Sequence, residues 1–308
     1  MNDSFVSSSR IRQAGMLATV TRLKLRLDHE LTTEVSAAST ALFRICLGIV
    51  LVFHSLEYAT NSELRQFTTH TGHFFYWELF NWVRPLPDPL LITLAWTLFG
   101  AALFILSGVL YRPACAIAFL ISVYFFLLDR YRTVNHDYFL CLVCLLMVLI
   151  PADRMFALAR LLSPESRHDT IPRAGLWSLR LQFGIPYFYG GLAKLFEPDW
   201  LSGDVTTSIA RSAGLLDQPY LFHVLDTRWI PWILAYGGLL FDLLIVPLLI
   251  WPRTRLFALA IAVGFHLTNV FIFDIEVFPW LMIAGTLLFL EPDWPLSLFS
   301  LSRETPTS

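Results

Sequence analysis

The feature that most constrains this chain is the length of its apolar runs. Between residues 38 and 295 they follow one another near 39–57, 89–110, 114–129, 138–151, 177–195, 231–251, 254–273 and 276–290. A helix needs about 20 mostly apolar residues to cross a ~30 Å hydrocarbon layer. In that layer every backbone N–H and C=O must be bonded within its own segment, which selects helices. The runs therefore predict an all-α fold, a multi-pass integral membrane helical bundle of about eight transmembrane helices. The third, fourth and eighth runs are short, as tilted or interfacial helices are. Tyr111-Arg112-Pro113 joins one pair of runs and Trp251-Pro252-Arg253 another, and proline at these points predicts helical hairpins. Composition agrees: 56% of the 308 residues are hydrophobic and 15% charged, against about 25% charged in soluble domains. A net charge of -2 without a basic run argues against nucleic acid as a partner. The bilayer is the expected one.

Sidedness follows from the basic residues. With the N-terminus inside, fourteen of the 22 Lys and Arg fall on inside segments, seven on outside segments, and Arg44 within the first run. Both termini are accordingly expected in the cytoplasm. Three regions result: an amphipathic cytoplasmic arm over 1–36, a transmembrane domain over 37–296, and a polar tail over 297–308. Basic and apolar residues at helical spacing between Ile11 and Leu31 suggest an arm lying on the membrane surface. The N-terminal residues lack the apolar core and small-residue cleavage site of a signal peptide. Cys46, Cys115, Cys141 and Cys144 lie inside apolar runs without a second metal-ligand pair, so they read as packing residues, and no metal is expected.

On this sidedness the polar residues within or beside apolar runs gather at the outer ends: His54 and Glu57, Asn135 and His136, Lys194, Arg211, and His266 with Asn269. Ionisable groups near hydrocarbon face a cavity or a partner, so these predict an outward-opening polar pocket. Lys194 ends an aromatic, glycine-containing run. It either snorkels to the interface or is held inward by Gly190-Gly191 as a desolvated amine able to act as a base. Asn135 and His136 read as a short outer loop. His266 lies deep in its run, where Asn269, one turn on, is positioned to bond it. Asp242 must be paired or protonated, and Arg44 within the first run is a candidate partner. Arg211 is of the type that grips a carboxylate bidentately.

The segment Phe188-Tyr189-Gly190-Gly191-Leu192-Ala193-Lys194-Leu195, followed by Asp199-Trp200 and Gly203, resembles the central segment of the vitamin K-dependent γ-glutamyl carboxylase family. That membrane domain is shared with bacterial horizontally transferred transmembrane domain proteins. The likeness continues in order. It runs through Leu42-Phe43-Arg44 with Gly48, Arg84-Pro85-Leu86-Pro87, Tyr111-Arg112 with Cys115, and Phe126 to Asp129 leading into Asn135-His136-Asp137-Tyr138. It ends with Leu240-Phe241-Asp242-Leu243, Phe265-His266 with Asn269, and Glu291-Pro292-Asp293-Trp294-Pro295.

The resemblance implies oxidation of reduced vitamin K (menaquinol or phylloquinol) by O2 to the 2,3-epoxide, coupled to CO2 addition at a glutamate. It implies Lys194 and His136 as catalytic residues. Asn135, Tyr187, His266 and Asn269 would then bind the quinol, and Arg211 the substrate carboxylate. The implied location is a bacterial inner membrane, with the site toward the extracytoplasmic side. The animal enzymes continue past the position matching Ser308 into a docking region, and between Lys194 and Trp200 this chain is one residue longer. The implied partners are therefore a glutamate-containing peptide or a separate docking protein. Two other readings stay open: a non-catalytic accessory or maturation protein that retains the fold, and a small-solute transporter. The latter is disfavoured by the lack of internal repeats.

Overall fold

The computed structural model describes residues 21–60 apart from 23, 26 and 27, then 75–131, 134–162, 168–212, 214, 227, 229–272 and 276–301. Its elements in chain order are β1 (Glu34–Ser36), α1 (Ala38–Thr60), α2 (Asp88–Ser107), α3 (Tyr111–Leu128), α4 (Asn135–Leu149), α5 (Ala159–Leu162), β2 (Thr170–Pro172) and α6 (Arg173–Phe196). They continue with α7 (Pro198–Ser202), α8 (Val205–Ser212), α9 (Ile230–Ile250), α10 (Arg255–Ile272), α11 (Phe278–Leu287) and α12 (Trp294–Leu301), and a 3-10 turn spans Glu78–Phe80. Each of the eight apolar runs is helical, so the all-α membrane bundle stands. Among the described residues, four helices are long and apolar enough to cross a membrane by themselves: α1, α2, α3 and α9. The apolar helices α4, α10 and α11 are shorter, and α6 has 24 residues but carries Arg180 and Lys194.

Large apolar side chains cover the outside of the bundle, among them Leu120, Ile233, Leu256, Phe257 and Phe271. That pattern suits a lipid solvent, where outward-facing Leu and Phe have nothing to avoid. One all-β element departs from the expectation: β1 and β2 form a two-stranded antiparallel sheet with Val35 opposite Ile171. It lies at the end of the bundle where α1 and α6 begin. Ion pairs Arg160–Asp169, Arg154–Glu34, Arg173–Glu30 and Arg255–Glu291 line that same end. We call it the basic end.

Arg44 corrects a sequence expectation. It does not meet Asp242. Fully buried, it donates through Nη1 to Ile105 O (2.6 Å) and Leu106 O (2.7 Å), through Nη2 to Phe156 O (2.7 Å) and through Nε to Ala152 O (3.2 Å). The physical reason is that a helix end leaves its last carbonyls without partners, and an arginine fork supplies donors of the favourable sign there. α2 stops at Ser107 because Gly108 takes a left-handed conformation at φ 74°. A Cβ at Gly108 would meet Ala157 Cβ at 2.5 Å and Arg44 Nη1 at 2.9 Å, so only glycine leaves room for the arginine. Arg180 acts likewise at the end of α11, donating to Leu288 O (2.8 Å) and Leu290 O (2.9 Å).

Candidate functional site

The structure gathers most of the polar residues named from sequence into two clusters at the end of the bundle opposite the sheet. The first is built on α6 and α9. Lys194, in the last turn of α6, forms an ion pair with Asp242 of α9. Both side chains are largely buried, 16% and 9% exposed. Asp242 thus finds its partner in Lys194, a second consequence of Arg44 being committed to carbonyls elsewhere. The glycines explain how the helices come close enough: a Cβ at Gly190 would stand 2.7 Å from Asp242 Oδ2, and one at Gly191 would stand 2.6 Å from Leu243 Cδ2. The lysine is turned inward, over the Trp200 ring at 4.6 Å from Nζ to centroid.

Lys194 and Trp200 form part of the wall of a cavity of about 580 Å3 between α6, α8, α9 and α10. The remaining wall is apolar apart from Thr206, Thr268 and Asn269, with Phe241 and Phe265 as its aromatic floor. The short helices α7 and α8 close it across the end of α9. Thr206 Oγ1 donates to Pro231 O (3.0 Å), and Tyr236 Oη donates to Leu201 O (3.3 Å). Asp242 itself opens on the other side of the α6–α9 pair, onto a groove of about 480 Å3 that also touches Arg180 and Phe188. The ion pair therefore joins two separate spaces.

Tyr187 and His266 lie one aromatic layer behind the cavity. Tyr187 Oη and His266 Nε2 are 2.6 Å apart, and the Phe241 ring packs against both Tyr187 and Phe265. The expected His266–Asn269 bond is therefore replaced by one to Tyr187. Asn269, three residues along α10, faces the cavity instead. His266 Nδ1 is buried and has no hydrogen-bond partner among the described residues.

The second cluster holds His136. Sequence reading places Asn135 and His136 in a loop; they form the first turn of α4, whose Asp137 carboxylate accepts from Val134 N–H (3.4 Å). A carboxylate there offsets the positive end of the helix. His136 Nε2 stands 3.9 Å and His54 Nδ1 3.8 Å from the same oxygen, Glu276 Oε2. Glu276 sits before α11 with φ +47°, a left-handed conformation that costs a non-glycine residue energy. The His54 imidazole and then the His136 charge hold its carboxyl below the usual range, against an opposing effect of burial. Glu276 was not singled out from sequence, where it is the first residue of the eighth apolar run and gave no signal of its role. Arg211 is exposed at the last turn of α8 and is not part of the cavity wall. The structure joins it to neither cluster.

A polytopic helical membrane protein with two polar clusters at one end of its bundle is the class these observations define. The HTTM domain family model matches residues 33–294, and the chain belongs to that family, whose domain is found in vitamin K-dependent γ-carboxylases. No solved structure matches the chain.

Proposed function

We propose that the protein is a membrane-embedded, vitamin K hydroquinone-dependent oxygenase that epoxidises the quinol with O2, with carboxylation of a glutamate side chain by CO2 as the coupled reaction. The observation that carries this reading is Lys194, paired with Asp242, in the wall of an apolar, aromatic cavity. A neutral fused ring suits such a cavity, whose few polar groups are an amine, an amide and two hydroxyls. The quinol, when bound, supplies with O2 the oxidising chemistry, leaving as the 2,3-epoxide with water as the other product.

The chain's own residues do the rest. Transfer of the ion pair's proton from Nζ to Asp242 frees the Lys194 amine, which then takes the proton of a ring hydroxyl as a positioned general base. Asp242 holds Nζ at the wall and shares that proton, and its opening onto the second groove gives the proton a way out. Asn269 orients the ring edge, and Trp200 covers the amine. Apolar walls exclude water, which would quench a strong base. His136 and Asn135 hold the polar edge of the neighbouring cluster, and Tyr187 with His266 braces Phe241 from behind. The reading further expects a bacterial inner membrane with the site on the extracytoplasmic side, and a glutamate-containing peptide or separate docking protein as partner.

The test is epoxide formation by the purified protein from menaquinol and phylloquinol under O2, wild type beside Lys194→Ala, with labelled CO2 and a glutamate peptide in a parallel arm. Epoxide from the wild type, reduced at least about 100-fold by the substitution, supports the reading. Label in the peptide adds the carboxylation step. No epoxide from well-folded wild type with either quinol overturns it and leaves an accessory role.

A further inference from the structure

The groove of about 480 Å3 beside the α6–α9 pair has apolar walls and a cation toward one end. Its floor is where the two helices touch: a Cβ at Gly184 would stand 3.4 Å from Val246 Cγ1. Leu181 and Ile185, 67% and 41% exposed, border it, so it opens sideways to the surface that lipid covers. Arg180 lies toward the basic end, where α9 finishes at Ile250. Its Nε and Nη2 donate to the carbonyls of Leu288 and Leu290, which leaves Nη1 without an acceptor among the described residues. Its charge is equally uncommitted. The nearby Arg173 and Arg255 are paired with Glu30 and Glu291, and among the described residues no carboxylate pairs with Arg180. The Trp177 ring lies 5.1 Å from the guanidinium carbon, and tryptophan gathers at the depth of lipid headgroups. The opposite end of the groove is at Asp242, beside Gly190, ten residues and about 15 Å along α6 from Arg180. That acid is already held by Lys194.

We propose that this groove seats an anionic phospholipid, its phosphate on Nη1 of Arg180 and one acyl chain between α6 and α9. Charge and shape select this occupant together. A phosphodiester accepts from the free Nη1 in a charge-assisted bond. The apolar walls suit an acyl chain, which free phosphate lacks. A zwitterionic lipid brings its own cation toward Arg173, Arg180 and Arg255, and a neutral lipid offers Arg180 no charge to meet. The excess of Lys and Arg at this end predicts the cytoplasmic leaflet, whose surface is negative and whose lipids occupy basic pockets between helices. The seat lies on the other side of the α6–α9 pair from the Lys194 cavity. It does not depend on the oxygenase reading.

The experiment titrates the full chain in detergent with phosphatidylglycerol and with phosphatidylcholine of the same acyl chains, and reads bound lipid by native mass spectrometry. Phosphatidylglycerol is expected to bind tighter by about tenfold or more. Arg180→Gln, whose amide still donates to a carbonyl, is expected to remove that preference. Equal affinity for the two lipids, or a preference that Arg180→Gln leaves intact, overturns the proposal. Leu181→Trp, at an exposed position that accepts a larger ring, keeps Arg180 and narrows the groove, and it carries the test if Arg180→Gln fails to fold. It is expected to weaken phosphatidylglycerol by about fivefold or more; unchanged affinity puts the lipid outside the groove and overturns the seat. Phosphatidylglycerol with a diazirine in its acyl chain then maps the position. Adducts on Leu181, Ile185 or Val246 that excess phosphatidylglycerol removes and phosphatidylcholine does not are the expected result. Adducts confined to other surfaces overturn it. Glycerophosphoglycerol, the headgroup without its chains, is expected not to compete. Displacement by it at the concentration of the intact lipid reduces the site to a phosphate contact and overturns the acyl seat.

Discussion

At the scale of single residues, the Lys194–Asp242 pair concentrates the testable consequences. Removing one member of a buried pair leaves the other charge uncompensated, at a cost of about 3–5 kcal/mol, whereas replacing both by apolar side chains is often neutral. Asp242→Leu is therefore expected to lower the melting temperature in detergent, and Lys194→Met/Asp242→Leu to restore most of it while remaining inactive. A double variant as unstable as the single one contradicts the pairing. Gly190→Ala adds a Cβ 2.7 Å from Asp242 Oδ2. It should reduce activity as Asp242→Asn does, since both loosen the carboxylate's hold on Nζ. Glu276 gives a pH signature. A carboxyl held below its ordinary value of 4.5 stabilises the folded state fully above that pH, and the contribution is lost as pH falls further through the depressed value. Melting curves between pH 6 and 3 should show a wild-type loss that is smaller in Glu276→Gln, the paired carboxylates elsewhere supplying the remainder.

At the scale of elements, two arginines terminate helices that water cannot reach. Arg44 satisfies carbonyls at the end of α2 and in the turn after α4, and Arg180 those after α11. A buried acceptor left without a donor costs about 1–3 kcal/mol. With more acceptors at stake, Arg44→Met is expected to destabilise more than Arg180→Met, by about 3 kcal/mol or more. Arg44→Lys should recover little, because a point ammonium cannot span carbonyls from separate segments. Comparable melting temperatures for the two methionine variants would contradict this division. The same elements carry the functional geometry: α6 and α9 can bring Lys194 to Asp242 only because Gly190 and Gly191 let the helices touch.

For the whole molecule, the helices run alternately between a basic end with its small sheet and an opposite end with both polar clusters. The excess of Lys and Arg predicts that the basic end faces the cytoplasm. Single cysteines placed at exposed Trp82 and Asp293 test it in intact cells with a membrane-impermeant maleimide. Trp82→Cys should label directly and Asp293→Cys only after lysis; the reverse pattern would invert the orientation and bring the clusters to the inner face.

The apolar runs alone determined that the chain is a helical membrane bundle, because length and hydropathy are local properties that the bilayer reads directly. They also placed the polar residues at one end, since alternation of direction follows from counting runs. Helix starts were less legible. Asn135 and His136 look like loop residues until Asp137 is seen closing the first turn of α4. Partnership was beyond sequence. Arg44, Asp242 and Lys194 form a choice among three ionisable groups, and which pair forms depends on where helix ends leave carbonyls unpaired. His266 likewise took Tyr187 of another helix over Asn269 of its own. Glu276 acquired a role only when the fold brought α1, α4 and α11 around it. Contacts between residues far apart in the chain are fixed by helix packing, and that packing is decided in three dimensions by glycines, aromatic rings and unsatisfied backbone groups acting together.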